Sequence, residues 1–92
     1  MIEQEIPIVN KLGLHVRAAT LLVQTASEHD SAINLHYNGQ SADAKSIMEV
    51  LMLAATKGSM VKVSVEGDSP DEEETAMQAL DTLISNRFNE AE

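Results

Sequence analysis

The 92-residue chain has no cysteine and no tryptophan. Without cysteine there can be neither a disulfide framework nor a thiolate zinc site. Its only aromatic residues are Tyr37 and Phe88, so it has no platform on which nucleic acid bases could stack. Basic residues are scarce too. Six Lys and Arg stand against fifteen Asp and Glu, giving a net charge of −9. Neutralising nucleic acid phosphates, or an anionic membrane surface, needs a basic patch that this composition does not supply. No apolar run reaches the length of a membrane span, and no signal-peptide pattern opens the chain. A soluble, cytoplasmic protein is expected. There is no glycine-rich phosphate loop, no HExxH pair and no carboxylate constellation around a pocket. Neither a metal nor a cofactor is expected.

The length fits one domain over residues 1–92, burying roughly two-thirds of the surface its unfolded form exposes. That supports a two-layer core and no deep cleft. Residues 2–9 alternate Ile6 and Ile8 with Glu5 and Pro7 and read as a strand. Pro7 has no N–H, so its outward side should need no ladder bond. Val16, Ala19, Leu22, Val23 and Ala26 form one stripe of a helix over about residues 16–28. Arg17, Leu21, Gln24 and Glu28 lie opposite that stripe. Ile33, Leu35 and Tyr37 alternate with Asn34 and His36 in a second strand. Asn38-Gly39 then signals a type I′ hairpin, and residues 40–43 become a short polar edge strand. Ser46 and Glu49 have the spacing of a capping box, so a helix is expected over about 47–56. Val50, Leu53 and Ala54 lie on one side of it, and Gly58 stops it.

Val61, Val63 and Val65 make the last strand. Ser69-Pro70 followed by four acidic residues reads as the start of a third helix, not a metal site. Ala76, Ala79, Leu80, Leu83 and Ile84 are its stripe, it ends near Arg87, and the tail to Glu92 should fray. The order βαββαβα, with amphipathic helices and alternating strands, defines an α+β two-layer sandwich. All four glycines fall between elements.

Three features carry chemistry. His15 follows Gly13 and precedes Arg17, where loop becomes helix. There it either acts as an ordinary N-cap or serves as a nucleophile. In the second case the free N–H groups of the first turn would stabilise a phosphoryl group on its ring, and Arg17 would add a charge-assisted hydrogen bond. His29 and His36 read as surface residues. Ser46 is an N-cap, worth roughly 1 kcal/mol, and also a candidate for phosphorylation, which the nearby Glu49 carboxylate would oppose. Leu21, Ile47, Met48, Leu51 and Met52 exceed what a small core needs and read as a docking patch.

Gly13-Leu14-His15-Val16-Arg17, the run Ala19 to Ser27, and Lys45-Ser46-Ile47-Met48 together resemble HPr, the histidine phosphocarrier of the phosphoenolpyruvate-dependent phosphotransferase system. The likeness covers essentially the whole chain. It implies an open-faced sandwich of four antiparallel strands with three helices on one face. It implies a phosphocarrier rather than a stand-alone enzyme. His15 would take a phosphoryl group on Nδ1 from phosphorylated enzyme I and pass it to a IIA protein, with Arg17 assisting. Ser46 matches the position modified by HPr kinase/phosphorylase, through which a transcriptional regulator could also be engaged. Docking would fall to Thr20, Leu21, Gln24, Ile47, Met48, Leu51 and Met52, on a monomer. The chain departs from the family at Ala18, where proline is usual and where alanine should loosen the first turn. It departs at Val16, usually alanine, which adds bulk beside the histidine, and at Glu49, commonly glycine. Residues 51–58 and Asn86-Arg87-Phe88 also look like the nitrogen-related branch, NPr, and like HPr-type proteins of Gram-negative bacteria, so the resemblance allows a regulatory IIA protein as acceptor in place of a sugar permease.

Overall fold

Alternation in the strand segments puts their branched residues on one face of a single antiparallel sheet. The computed structural model describes residues 1–53 and 55–89. Its strands are β1 (Ile2–Pro7), β2 (Ala32–Tyr37), β3 (Gln40–Asp43) and β4 (Met60–Glu66), and its helices α1 (Val16–Ser27), α2 (Ile47–Met52) and α3 (Pro70–Ser85). The sheet order is β1-β4-β2-β3, so Pro7 and the short polar strand both lie at edges, as their composition requires. The register sets Ile6 opposite Val61, Ile33 opposite Val65, and Leu35 opposite both Val63 and Ala42. These side chains are buried, and they meet Ala18, Ala19, Leu22 and Ala26 of α1, Val50 of α2, and Ala76, Met77, Leu80 and Ile84 of α3. Each large aliphatic buried this way stabilises the fold by roughly 1.5–3 kcal/mol. The three helices cover one face, and the other face of the sheet is polar.

That polar face is organised. The His36 ring, expected as a lone surface group, lies between two serines, with Nδ1 2.8 Å from Ser41 Oγ and Nε2 3.0 Å from Ser64 Oγ. Lys62 faces Glu3 at 3.9 Å, an exposed pair that contributes little. The Asn38-Gly39 turn has positive φ at both positions (53° and 80°), the geometry the hairpin signal demands.

Several boundaries differ from the sequence reading. β1 ends at Pro7, although Ile8 N–H continues the pairing by donating to Ser59 O at 2.8 Å. α2 is one and a half turns long and ends at Met52. Gly58 therefore sits in a later turn, at φ 91°, with its N–H on Ile8 O. Ala54 lies outside the described residues. Val16 is exposed and Ala18 takes its place in the core, because the first residue of a helix lies past the edge of the layer beneath it. In α3 the stripe is displaced, with Met77 and Glu73 buried and Ala79 and Leu83 half-buried.

The chain beyond α3 does not fray before residue 89. It closes in a short 3₁₀ turn (Arg87–Asn89) in which all three residues have positive φ, 53–64°. Left-handed backbone costs roughly 1–2 kcal/mol per non-glycine residue. The compensation is Phe88, the largest fully buried side chain, together with Asn89 N–H donating to Asn86 O at 3.0 Å.

Glu73 is the one carboxylate of the acidic run that is buried. Ser69 caps α3 by accepting from Glu72 N–H at 3.2 Å, which leaves the Glu73 side chain to turn inward. Its carboxylate accepts the Gly67 N–H at 3.0 Å and pairs with the Met1 ammonium at 3.0 Å. The Gly67 hydrogen bond, helped by the ammonium, lowers the Glu73 pKa below the usual carboxylate value. The folded state therefore binds this proton less readily than the unfolded one. Its stabilisation is present above about pH 4.3 and is lost as pH falls through the lowered value. Glu73→Gln is expected to be less stable than wild type at pH 7 and to converge on it in acid. Chemical denaturation at pH 7 and pH 3 checks this, and a constant difference between the two proteins would contradict it.

Candidate functional site

The loop that carries His15 is built from the glycine outward. Gly13 takes φ 65°, the left-handed conformation that glycine adopts without strain. Its carbonyl accepts from Asn10 Nδ2 at 2.9 Å and from His15 N–H at 3.0 Å. Buried Leu14 anchors the loop, and its N–H donates to Ala55 O at 3.0 Å. A Cβ on Gly13 would meet that same Ala55 oxygen at 2.6 Å and Thr56 Cα at 2.9 Å. Two backbone segments thus touch where only glycine fits.

His15 is then the N-cap of α1. Its backbone is extended (φ −82°, ψ 179°), its carbonyl accepts from Ala19 N–H at 2.8 Å, and its Nδ1 accepts from Arg17 N–H at 3.3 Å. An acceptor Nδ1 in a neutral imidazole carries the lone pair, which places the proton on Nε2. Nδ1 is therefore held against the helix N-terminus by a long, weak hydrogen bond. The first turn of α1 contains no acidic residue, so no carboxylate of that turn offsets the positive end of its dipole. Thr20 Oγ1 donates to Val16 O at 2.7 Å and so bonds within the helix. The Arg17 side chain is exposed and makes no hydrogen bond or ion pair among the described residues.

Charge is segregated around this loop. No Asp or Glu occurs between Pro7 and Ser27, or between Val50 and Val65, whereas Lys11, Arg17 and Lys57 do. The segments that build the site are locally basic in a chain of charge −9. Among the described residues no group of His, Asp or Glu is arranged to hold a metal ion, and no helix is long and apolar enough to cross a membrane.

The residues expected to form an apolar patch differ in exposure. Ile47, Met48 and Met52 are exposed, the last two at 70% and 72%. Leu21 and Leu51 are instead half-buried against the core, and Gln24 is exposed. Leu12 and Val16, at 66% and 65%, are further exposed apolar residues in the loop and first turn that frame His15. Sequence reasoning missed both. The signal was the departure of Val16 from the buried stripe, visible only once the rotation of α1 is known.

Ser46 caps α2, accepting from Glu49 N–H at 3.4 Å. The expected reciprocal bond does not form. Glu49 Oε1 accepts from Asp43 N–H at 3.0 Å, while Asp43 O takes the Ser46 N–H. Half of the capping box is thus diverted to the end of β3. Lys45 Nζ ties the same segment to His29 O at 2.8 Å.

The fold and site define a class: an open-faced sandwich with three helices on one face and a histidine capping the first. A family profile described as the phosphorylation site of the PTS HPr component matches residues 2–86. The phosphocarrier protein HPr of Cupriavidus necator is 51% identical over 92 residues, covering all of both chains. That of Xylella fastidiosa is 49% identical over 90 residues, 98% of each chain. The crystal structure of HPr-C-His from Thermoanaerobacter tengcongensis superposes with a TM-score of 0.92 at 44% identity, again over the full length of both. The chain belongs to the HPr family, the phosphocarrier proteins of the phosphotransferase system.

Gly13→Ala is expected to fold with the site displaced. The added methyl would lie 2.6 Å from Ala55 O on a backbone at φ 65°, and the combined strain should cost about 2 kcal/mol or more. Urea denaturation reads the loss, and the imidazole resonances of His15 read the displacement. A variant matching wild type in both would show that the two loops do not constrain each other.

Proposed function

We propose that this chain accepts a phosphoryl group on Nδ1 of His15 from phosphorylated enzyme I and passes it to a histidine of a IIA protein. The observation that carries this reading is the N-cap geometry, in which the Nδ1 lone pair faces the N–H groups that open α1. In the first transfer a bond forms from His15 Nδ1 to phosphorus as the donor's nitrogen–phosphorus bond breaks. In the second the roles reverse. The proton on Nε2 stays in place throughout, so no separate base is needed. The α1 N–H groups and the unengaged Arg17 guanidinium stabilise the phosphoryl oxygens. The protein is changed and restored each cycle, which makes it a carrier and not a stand-alone enzyme.

The docking surface in this reading is Thr20, Leu21, Gln24, Ile47, Met48, Leu51 and Met52, joined by Leu12 and Val16. The exposed methionines suit a face that must fit several partners in turn. The locally basic loops favour an acidic rim on those partners. The protein acts as one unit, a cytoplasmic monomer, with either a sugar-specific or a nitrogen-related IIA protein as acceptor. The decisive assay incubates it with phosphoenolpyruvate and enzyme I, then adds candidate IIA proteins. Wild type should acquire an acid-labile phosphate and His15→Ala none. Arg17→Ala should slow transfer by about ten-fold or more, the loss of one charge-assisted hydrogen bond. Undiminished labelling of His15→Ala would sink the proposal.

Ser46 supports a second, regulatory reading, because it caps the helix that presents Ile47 and Met48. A phosphate there would alter the docking face directly. Glu49 opposes it, with its carboxylate fixed on Asp43 N–H beside the serine. With a cognate HPr kinase, Glu49→Gln is expected to be phosphorylated at Ser46 faster than wild type. Equal rates would remove Glu49 as the obstacle.

A further inference from the structure

The His15 loop has no regular structure, and what holds it is the turn between α2 and β4. That turn is closed by Ser59 N–H on Thr56 O at 2.9 Å and by Thr56 N–H on Ser59 Oγ at 3.1 Å. It reaches three neighbours. Ser59 O and Gly58 N–H bind Ile8, each at 2.8 Å. Ala55 O accepts from Leu14 N–H at 3.0 Å, and Thr56 lies against Gly13. The third neighbour is β2. Ser59 Oγ donates to the Tyr37 hydroxyl at 3.1 Å. Tyr37, half-buried at the end of β2, thus meets the site loop through one serine.

We propose that Tyr37 and Ser59 are positioning residues for His15. They form a brace that runs from the sheet through Thr56 and the Ala55 carbonyl to Leu14 and the cap of α1. The transfer readout below rests on the proposed carrier function; the spectroscopic one does not. The mechanism lies in the single proton of the Ser59 hydroxyl. One of its two lone pairs accepts from Thr56 N–H, and the proton is left for an acceptor of its own. With Tyr37 present it points to β2. With the phenol oxygen removed, the nearest acceptor for it among the described side chains is Thr56 Oγ1, at 3.5 Å. Closing that distance draws the turn in on itself and away from the sheet. Thr56 is in backbone contact with Gly13, so the movement reaches Leu14 and then His15. A brace of this kind sets the angle at which Nδ1 meets the α1 N–H groups, without touching the phosphoryl group.

The test compares Tyr37→Phe, Ser59→Ala and Ser59→Thr with wild type in the intact chain. In the free protein, NMR follows the ring nitrogen resonances and the titration of His15. With enzyme I, steady-state assays separate kcat from KM, and thermal melts confirm folding. Tyr37→Phe and Ser59→Ala are expected to move the His15 resonances and to lower kcat about three- to ten-fold, with KM unchanged. Ser59→Thr, which keeps the hydroxyl, is expected to restore both. Unmoved His15 resonances in folded Tyr37→Phe and Ser59→Ala would overturn the proposal, as would a Ser59→Thr variant that behaves like Ser59→Ala. If wild type takes up no phosphate, the carrier function fails, and the resonances alone still decide whether the brace exists.

Discussion

The joint between two loops at Leu14 N–H and Ala55 O governs this structure. Neither loop has regular structure, and each lies between elements that belong to different parts of the fold. One follows β1 and opens α1; the other follows α2 and opens β4. A single backbone hydrogen bond and the glycine contact beside it set how the helical layer sits over the end of the sheet. Gly13 is required there because both chains approach through their main-chain atoms. The position of His15 is a consequence of that joint rather than of any pocket around the ring.

How much of this was legible in the sequence varied by element. The strands were legible because Ile33, Leu35, Val61, Val63 and Val65 alternate without a break, and Asn38-Gly39 fixes the hairpin between β2 and β3. The histidine at the start of α1 was legible from Gly13 and the stripe that follows. The phase of α1 at its first turn was not, because Val16 and Ala18 are both apolar and only packing distinguishes them. The end of α2 escaped for a related reason. A segment apolar on two sides has no periodic signal to show where the helix stops. Phe88 was hidden because nothing local announces three consecutive left-handed residues. The brace from Tyr37 to Ser59 joins positions far apart in the chain through side-chain hydroxyls, which leave no pattern at all.

Charge follows the same division of labour. Among the described residues the acidic side chains are concentrated at the start of α3 and along the strands, and all but Glu73 in the α3 run are exposed. They give solubility and long-range repulsion between copies of the chain. The segments 8–27 and 51–65 carry Lys and Arg but no Asp or Glu. A net charge of −9 therefore coexists with two segments whose own charge is of the opposite sign. Composition, which argues against nucleic acid, does not describe how charge is distributed along the chain.

The sheet face that no helix covers has a practical meaning. Lys62, in the middle of β4, points away from the helical side, and the chain has no cysteine of its own. A thiol placed at this position would be unique, and it would stand on the sheet face opposite the three helices. Immobilised or dye-labelled through that point, the protein would present its helical layer outward in one orientation. The bare back of the sheet is a built-in handle.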